Sequence, residues 1–231
     1  MHDKIALVTG SSRGLGKDIA LLLAQTVAGV VIHYRNEKHA AENTVGAIHK
    51  IGKKSAAFYA DLTKEVEVEG LFNQAESLYG RIDILVNNVG PIIVKPWDKV
   101  TTLEWEDTLH SNLFSALFCM KFALPGMRKR QWGRIINLGY SRVEQLSAFP
   151  TITPYAVAKS GLLILTRTVA ASEASAGITV NMVSPGLIEG GIMPKASDIP
   201  CGRLGKFEDV TQAVLYLVSP QDLVVAGGWK L

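Results

Sequence analysis

Several residue types are scarce in this sequence, and their scarcity excludes whole classes of site. The chain has only two cysteines, Cys119 and Cys201, which are far apart and match neither a redox pair nor a zinc-ligand spacing. Its five histidines also lack a ligand-like spacing. The sequence therefore predicts no disulfide framework and no metal site, and it is compatible with a reducing compartment.

Long apolar runs and a dominant charge are absent as well. No uncharged apolar stretch reaches the roughly 18 residues that a membrane-spanning helix needs, and the apolar run in MHDKIALVTG is too short for a signal peptide. The formal net charge is only +3, and the densest basic cluster, at 127–134, falls at a predicted helix C-terminus, where cations complement the helix dipole. We therefore expect a cytoplasmic protein that binds neither membranes nor nucleic acids.

The sequence does have a regular alternation of two hydrophobic periods. Short apolar, β-branched runs predict strands at 4–8, 29–34, 55–60, 82–87, 134–139, 178–183 and 223–226. Segments of helical period predict helices near 14–27, 38–51, 64–78, 103–128, 154–175 and 207–218. Because the strands are almost continuously apolar, both faces of the sheet should be covered. The 231 residues are therefore predicted to form a single α/β domain, a Rossmann-type doubly wound parallel sheet of about seven strands with helices on both faces.

A glycine-rich segment, TGSSRGLG, lies between the first predicted strand and the first predicted helix. Gly10, Gly14 and Gly16 permit a tight turn, close approach of a diphosphate and close helix packing, while the helix N-terminus supplies free N–H donors. The spacing TGxxxGxG differs from the commoner GxGxxG fingerprint. The segment predicts a dinucleotide site, with a purely structural turn as the alternative.

The end of the second strand, HYRNEK, bears on which dinucleotide is bound. An Asp or Glu normally stands here to accept hydrogen bonds from the ribose 2′-OH of NAD, but positions 33–36 contain no acid. Arg35 is present instead, and Arg13 can approach from the glycine-rich segment. Guanidinium groups match a phosphate in charge and geometry. The sequence thus favours NADP(H), unless Arg35 is only a solvated loop residue.

Polar residues also follow the third and fourth strands. Asp61, in ADLT, can bond the adenine edge or cap the next helix, and the sequence leaves both roles open. The segment NNVG, from Asn87 to Gly90, has small residues that let the backbone approach a bound ring. A plain turn could have the same composition, so NNVG indicates a binding site only in combination with the other motifs of the chain.

The run PYAVAK places Tyr155 four residues before Lys159. On a helix these side chains share one face, about 5 to 6 Å apart at Cβ. A nearby cation can lower a tyrosine pKa, ordinarily near 10, by about 1 to 3 units, which suits acid/base work near neutral pH. The pair predicts a proton donor for a carbonyl oxygen, with a surface Tyr beside a surface Lys as the alternative.

With TGSSRGLG, NNVG and YAVAK in this order on alternating strands and helices, the chain resembles the short-chain dehydrogenase/reductases over nearly its whole length. The resemblance implies that Tyr155 is the catalytic acid/base, that Lys159 lowers its pKa and holds the nicotinamide ribose, and that Asn112 supports a water relay. Pro185 and Gly186 should pack on the nicotinamide, with Ile188 next to the carboxamide. The full set of cofactor-binding residues implied is Gly10, Ser12, Arg13, Gly14, Leu15, Gly16, Tyr34, Arg35, Asn36, Asp61, Leu62, Asn88, Gly90, Tyr155, Lys159, Pro185, Gly186 and Ile188.

The segment NLGYSRVEQLSAFPTITPY departs from the family pattern, which has a catalytic serine between the fifth strand and the tyrosine. Arg142 occupies the usual spacing from the tyrosine. Ser141, one place earlier, is the favoured catalytic hydroxyl. Tyr140 falls at the serine position when counted forward from the strand and could donate the same hydrogen bond, whereas Ser147 lies too far along the loop. A second departure is Gly190, where relatives often have a threonine that bonds the cofactor.

Three loops near 91–98, 141–153 and 187–202 should surround the substrate, and their shapes select it. Relatives usually carry a longer lid in the third loop and a longer entry to the final strand. The resemblance therefore predicts that residues near 190–200 and near 222 are missing from the sequence.

Within the family, the chain resembles in particular the NADPH-dependent 3-oxoacyl-(acyl-carrier-protein) reductases. This implies hydride transfer between NADP(H) and a carbonyl or alcohol substrate, either a small molecule or an acyl group on a carrier. HYRN is also similar to the HYxRS stretch of pteridine reductases, which makes such an enzyme an alternative. A non-catalytic NADP-binding regulator is a further alternative, but the presence of both Tyr155 and Lys159 favours an enzyme. Apolar residues on several faces of the helix at 154–175 suggest a homotetramer or homodimer, since relatives pair through such helices.

Overall fold

The computed structural model describes residues 1–191, 199 and 202–219, and its centre is a six-stranded parallel sheet. In chain order the strands are β1 (Ile5–Val8), β2 (Gly29–Tyr34), β3 (Lys54–Tyr59), β4 (Ile84–Asn87), β5 (Gly133–Leu138) and β6 (Ile178–Val183). Across the sheet their order is β3-β2-β1-β4-β5-β6. The chain thus winds outward in opposite directions from the neighbours β1 and β4, which confirms the predicted doubly wound sheet. The predicted strand at 223–226 lies outside the described residues, as does most of 190–200 and the position near 222.

Helices connect consecutive strands and cover both faces of the sheet. They are α1 (Gly14–Ala24), α2 (Lys38–Lys50), α3 (Glu65–Tyr79), α4 (Thr102–Leu109), α5 (Ser115–Arg130), α6 (Thr153–Glu173) and α7 (Phe207–Val218). Short 3₁₀ turns occur at Trp97–Lys99, Val143–Gln145 and Ala174–Ala176. Within the described part of the chain, none of these helices combines the length and the apolarity needed to cross a bilayer.

The core lies on both sides of the sheet because successive strand side chains point to opposite faces. One face packs with α3 and α5 and includes Leu7, Val31, Leu85 and Ile135. The other face packs with α1, α2 and α7 and includes their chain neighbours Val8, Ile32, Val86 and Ile136. The nearly unbroken apolarity of the strands is therefore explained by burial on two sides.

The long helix predicted at 103–128 is interrupted by a π-helical turn, His110–Phe114, between α4 and α5. Side chains near this turn compete for backbone carbonyls. The hydroxyl of Ser111 donates to the carbonyl of Asp107 at 2.6 Å, and Nδ2 of Asn112 donates to the carbonyl of Thr108 at 3.1 Å. Such bonds favour local departures from the regular ladder. A hydrophobic period cannot report them, so the sequence predicted one continuous helix.

Candidate active site

The glycine-rich segment leaves β1 where the winding direction of the sheet changes. Gly10 has φ of +61°, a left-handed conformation that is costly for a residue with Cβ. A Cβ on Gly16 would collide with the carbonyl of Gly10, so α1 can lie this close to the loop only with glycine there. The N-cap residue of α1, Arg13, makes no side-chain capping bond, and the first turn contains no acid. The N–H groups at this helix N-terminus can therefore receive an anion.

His33, which the sequence analysis did not single out, holds this loop from the neighbouring strand β2. The N–H of Gly10 donates to Nδ1 of His33 at 2.9 Å. Because Nδ1 accepts, the ring proton lies on Nε2, which donates to the carbonyl of Ala60 at 3.0 Å. Burial lowers the pKa of His33 to about 4, so the ring is neutral near pH 7. The feature of the sequence that could have indicated this role is the presence of a histidine inside the apolar run GVVIHY.

Thr9 and Asn88 join the ends of β1 and β4. Oγ1 of Thr9 accepts from the backbone N–H of Asn88 at 2.9 Å and of Val89 at 3.2 Å. Nδ2 of Asn88 donates to the carbonyls of Thr9 at 3.0 Å and Gly10 at 3.3 Å. The Asn88 side chain thus supports the glycine loop, and its contact with a cofactor stays a prediction.

The two guanidiniums predicted to bind a phosphate are exposed, and each lies near a carboxylate. Nη1 of Arg13 is 3.6 Å from Oε1 of Glu37, and Nη1 of Arg35 is 3.7 Å from Oδ1 of Asp61. The arginine side chains are 76% and 54% exposed, so these ion pairs are weak. Oδ1 of Asp61 also accepts from the N–H and the hydroxyl of Thr63, which closes a local turn before α3.

The remaining predicted residues of this half are spread over the same rim. Ser12 is buried, and its carbonyl accepts from Oγ1 of Thr44 at 3.1 Å. Leu15 lies in the first turn of α1, and the ring of Tyr34 packs edge-on against a neighbouring tyrosine. Asn36 is exposed just after β2. Leu62 belongs to the hydrophobic core, so it can contact a cofactor only through its backbone.

Tyr155 and Lys159 lie on α6 beside the ends of β4 and β5. Nζ of Lys159 is 5.6 Å from the centre of the Tyr155 ring and donates to the carbonyl of Leu138 at 2.7 Å. Lys159 is 2% exposed, and burial lowers its pKa to about 8. Gly90 leaves room for the ammonium, because a Cβ at this position would lie 2.8 Å from Nζ.

The pKa of Tyr155 is shifted in the opposite direction to the one predicted from the sequence. Burial raises it to about 12, and the neighbouring Tyr140 contributes to the rise. The ammonium of Lys159 faces the ring rather than pairing with the phenol oxygen, and it is itself desolvated. The protein groups by themselves therefore keep the phenol protonated, as a proton donor must be.

Asn112 completes this end of the crevice from the π-helical turn. It is 1% exposed, and its Nδ2 donates to the carbonyl of Pro91 at 2.9 Å. Its Oδ1 is buried and has no hydrogen-bond partner among the residues that the structure describes. A Cβ on Gly90 would meet both this oxygen and Nζ of Lys159, so the three residues border one small space.

Among the candidate hydroxyls after β5, Tyr140 is the one that lies against Tyr155. The two ring centres are 5.6 Å apart, and Tyr140 also packs edge-on against Phe149 at 5.5 Å. Ser141 is exposed, and its N–H donates to the carbonyl of Pro185 at 2.8 Å. Ser147 is exposed farther along the loop.

The segment after β6 lies next to the exit of β5, where the N–H of Ser141 donates to the carbonyl of Pro185 at 2.8 Å. Gly186 is exposed, and Ile188 forms an isolated parallel bridge with Gly205. Gly190 has φ of +73°. A β-branched threonine rarely adopts this conformation, which gives a physical reason for the glycine found where relatives often have threonine.

The arrangement as a whole fits a nicotinamide dinucleotide. The glycine loop and the N-terminus of α1 suit a diphosphate, and Arg13 and Arg35 lie at the outer rim. The half-buried Tyr155 and the buried Lys159, with Oδ1 of Asn112, occupy the other end. Across 1–191, 199 and 202–219, no group of three His, Cys, Asp or Glu side chains could hold a metal ion.

Comparisons with known proteins agree with this geometry. The family model described as short chain dehydrogenase matches residues 4–198. A 3-oxoacyl-(acyl-carrier-protein) reductase FabG from Staphylococcus epidermidis is 34% identical over 97% of this chain and 95% of its own length. A 3beta-hydroxysteroid dehydrogenase 1 from Eggerthella lenta is 35% identical over 98% of this chain and 91% of its own length.

A solved structure shows the same likeness in three dimensions. The crystal structure of a dehydrogenase/reductase from Sinorhizobium meliloti 1021 superposes with a TM-score of 0.90 at 29% sequence identity. The match covers 98% of this chain and 92% of the other.

Proposed function

This chain belongs to the short chain dehydrogenase family, and from that premise we propose that it is an NADP(H)-dependent reductase of a ketone, with a 3-oxoacyl group on a carrier protein as the leading substrate. The observation that carries the proposal is the pair formed by the half-buried Tyr155 and the buried Lys159 at the end of a glycine-lined crevice. A regulator that only bound the cofactor would not need a protonated phenol there. The name of the FabG relative, which matches over nearly the full length of both chains, supports the choice of substrate.

The chain's own residues supply binding, orientation and the proton. The glycine loop and the N-terminus of α1 hold the diphosphate, while Lys159 and Gly90 border the place for the nicotinamide half. A nicotinamide bound there supplies the hydride that reduces the carbonyl carbon. In the proposed complex, Pro185, Gly186 and Ile188, which lie on the segment after β6, pack on the nicotinamide half.

Tyr155 donates its proton to the carbonyl oxygen of the substrate. Its pKa of about 12 keeps the phenol protonated at neutral pH. With a pKa of about 8, Lys159 is mostly charged near pH 7, so its ammonium stabilises the phenolate left behind. Oδ1 of Asn112 is a buried acceptor that no group in the described part of the chain occupies, so it can hold a water that passes a proton back toward this pair.

The preference for NADP(H) over NAD(H) rests on Arg13 and Arg35. Their present partners, Glu37 and Asp61, lie at 3.6 and 3.7 Å, and both ion pairs are weak because the arginine side chains are largely exposed. A 2′-phosphate carries more charge than either carboxylate and can accept charge-assisted hydrogen bonds from both guanidiniums. No acid at 33–36 competes for a ribose 2′-OH.

The proposal treats residues 1–231 as one domain of a cytoplasmic enzyme that pairs with copies of itself. Val157 and Ile164, seven residues apart on α6, are 49% and 67% exposed. Large apolar side chains on one helix face suit an interface between copies. A homodimer or homotetramer follows, and sedimentation velocity at micromolar concentration checks it.

Carbonyl reduction tests the proposed function. Acetoacetyl-carrier protein and a 3-ketosteroid, chosen because of the two named relatives, are offered separately with NADPH and with NADH, and absorbance at 340 nm is followed. We expect NADPH to be consumed with the acetoacetyl substrate and a 3-hydroxyacyl product to form in equal amount. Turnover of the 3-ketosteroid alone would indicate a steroid substrate instead of an acyl group on a carrier protein. Absence of turnover with any ketone would contradict the proposal.

A further inference from the structure

The residue after Gly139 occupies the exit of β5 next to the catalytic pair, and in this chain it is a tyrosine. The N–H of Gly139 donates to the carbonyl of Val183 at 2.8 Å, so β5 and β6 stay paired up to this point. A Cβ on Gly139 would approach Sδ of Met182 to 2.6 Å and Oγ of Ser184 to 2.8 Å. The backbone therefore enters this turn on a fixed path, and Tyr140 is the first side chain that leaves it toward α6.

Two aromatic contacts fix the ring of Tyr140. Its centre lies 5.6 Å from that of Tyr155, with the ring planes inclined by 53°. Phe149 also packs against it nearly perpendicularly, with the ring centres 5.5 Å apart. A ring held by two aromatic neighbours keeps its hydroxyl in one region, which is what a preorganised hydrogen-bond donor requires.

One polar neighbour of Tyr140 is Ser160, the residue after Lys159 on α6. Hydrogen bonding by Ser160 acts to lower the pKa of the Tyr140 phenol, while burial raises the pKa by more. Because the pKa is raised overall, the phenol is protonated at neutral pH and has a proton to donate in a hydrogen bond.

Ser141 has a different environment. Its N–H is engaged by the carbonyl of Pro185 at 2.8 Å, and the residue is exposed. The next residue, Arg142, has φ of +66°, so the chain turns away into the 3₁₀ turn Val143–Gln145. The loop from Tyr140 to Tyr155 is therefore longer than the segment between the serine and the tyrosine in the family pattern.

We propose that Tyr140 is a catalytic residue that donates the second hydrogen bond to the substrate carbonyl oxygen, beside the proton-donating Tyr155. The site then uses two phenols where relatives use a serine and a phenol. No covalent bond forms to Tyr140, since it only stabilises the charge that develops on the oxygen before Tyr155 transfers its proton. The inference rests on the proposed carbonyl reductase function.

Matched variants test this assignment. Tyr140→Phe keeps the ring packed against Tyr155 and removes only the hydroxyl. Tyr216→Phe, at an exposed tyrosine on α7, is its control, and Ser141→Ala tests the neighbouring hydroxyl. With the ketone that the wild-type protein reduces, we expect Tyr140→Phe to lower kcat/KM by about 100-fold, as removal of one such donor does elsewhere. The dissociation constant for NADPH should stay within about twofold of the wild-type value, and Tyr216→Phe should leave kcat/KM within the same range. Ser141→Ala should lower kcat/KM less than Tyr140→Phe does.

A double-mutant cycle with Ser160→Ala distinguishes a hydrogen-bonding role from a packing role. If Ser160 acts through the Tyr140 hydroxyl, Ser160→Ala lowers kcat/KM in the wild-type background and has no further effect in Tyr140→Phe. Equal effects in both backgrounds would contradict the proposal.

The outcomes separate this inference from the proposed function. A wild-type protein that reduces a ketone, with turnover that survives Tyr140→Phe and falls in Ser141→Ala, would overturn the role of Tyr140 and leave the reductase function standing. A wild-type protein that reduces no ketone at all would refute the reductase function, and the role of Tyr140 with it.

Discussion

The neutral imidazole of His33 should make the glycine loop sensitive to acid. Its Nδ1 accepts from the N–H of Gly10 at 2.9 Å, and its Nε2 donates to the carbonyl of Ala60 at 3.0 Å. A second proton would occupy Nδ1 and remove the acceptor for Gly10. The charged groups that face the ring are Arg35, which opposes protonation, and Asp61, which favours it, and burial outweighs both.

The size of the effect follows from the pKa. The value falls from an ordinary 6.5 to about 4 in the folded protein. At about 1.4 kcal/mol per unit, this difference corresponds to about 3 kcal/mol. Because the folded pKa is the lower one, the unfolded chain binds the extra proton between pH 6.5 and 4. The contribution to stability is therefore complete above about 6.5 and is lost as the pH falls through about 4.

Two substitutions at His33 separate its two bonds. An asparagine places an acceptor near the position of Nδ1, so His33→Asn should keep the bond to Gly10 and lose the one to Ala60. A glutamine places a donor near the position of Nε2, so His33→Gln should keep the bond to Ala60 and leave the Gly10 N–H unpaired. An unpaired buried donor costs about 1 to 3 kcal/mol.

Binding and unfolding measurements check this reasoning. Isothermal titration with NADPH at pH 7 should give an affinity close to wild type for His33→Asn and about tenfold weaker for His33→Gln, at the low end of that cost. In urea denaturation between pH 7 and 4.5, the wild-type protein should lose about 2 to 3 kcal/mol more than either variant, which cannot titrate at this position. Equal acid losses in all three proteins, or equal NADPH affinities in the two variants, would refute the role of His33.

Three further predictions concern residues of the crevice and its support. Arg35→Ala combined with Arg13→Ala should weaken NADPH binding by roughly 10- to 100-fold and leave NADH binding unchanged in fluorescence titrations. The exposed control Lys38→Ala should affect the binding of neither cofactor. Equal effects on both cofactors would argue against a 2′-phosphate site. Lys159 has a pKa of about 8, so kcat/KM for ketone reduction should fall above about pH 8. Lys159→Ala should lower turnover and weaken NADPH binding. A kcat/KM that does not change with pH in this range would contradict the role of Lys159 as a charged neighbour of Tyr155. The fully buried Asp83 accepts hydrogen bonds from Arg81, Arg130 and the N–H of Ile5. Asp83→Asn should therefore lower the free energy of unfolding, measured in urea, by about 3 kcal/mol. A loss below about 1 kcal/mol would contradict this account.

The sequence predicted the parts of the site that depend on local spacing. Gly10 and Gly16 could be placed because a strand, a tight turn and a helix follow one another without interruption. Tyr155 and Lys159 could be placed on one helix face because the helical period is fixed. The strand order then brings these two segments together at the carboxyl ends of β1, β4 and β5.

The parts that depend on contacts between distant segments could not be predicted. His33 reaches Gly10 only because β1 and β2 are neighbours in a particular register. The choice between Tyr140 and Ser141 depends on the path of a loop whose length departs from the family pattern. The sequence also predicted a lowered pKa for Tyr155 from a nearby cation, but burial, which one helix cannot reveal, raises the pKa of this phenol.

Transfer of deuterium from the cofactor is the most direct test of the central claim. The protein is mixed with acetoacetyl-carrier protein and, in separate samples, with each of the two NADPH stereoisomers deuterated at C4 of the nicotinamide, and the product is analysed by mass spectrometry. The account predicts one deuterium at C3 of the 3-hydroxyacyl product from one stereoisomer, and loss of most of this product with Tyr155→Phe while NADPH still binds. Absence of deuterium from the product with both stereoisomers, or wild-type turnover by Tyr155→Phe, would contradict it.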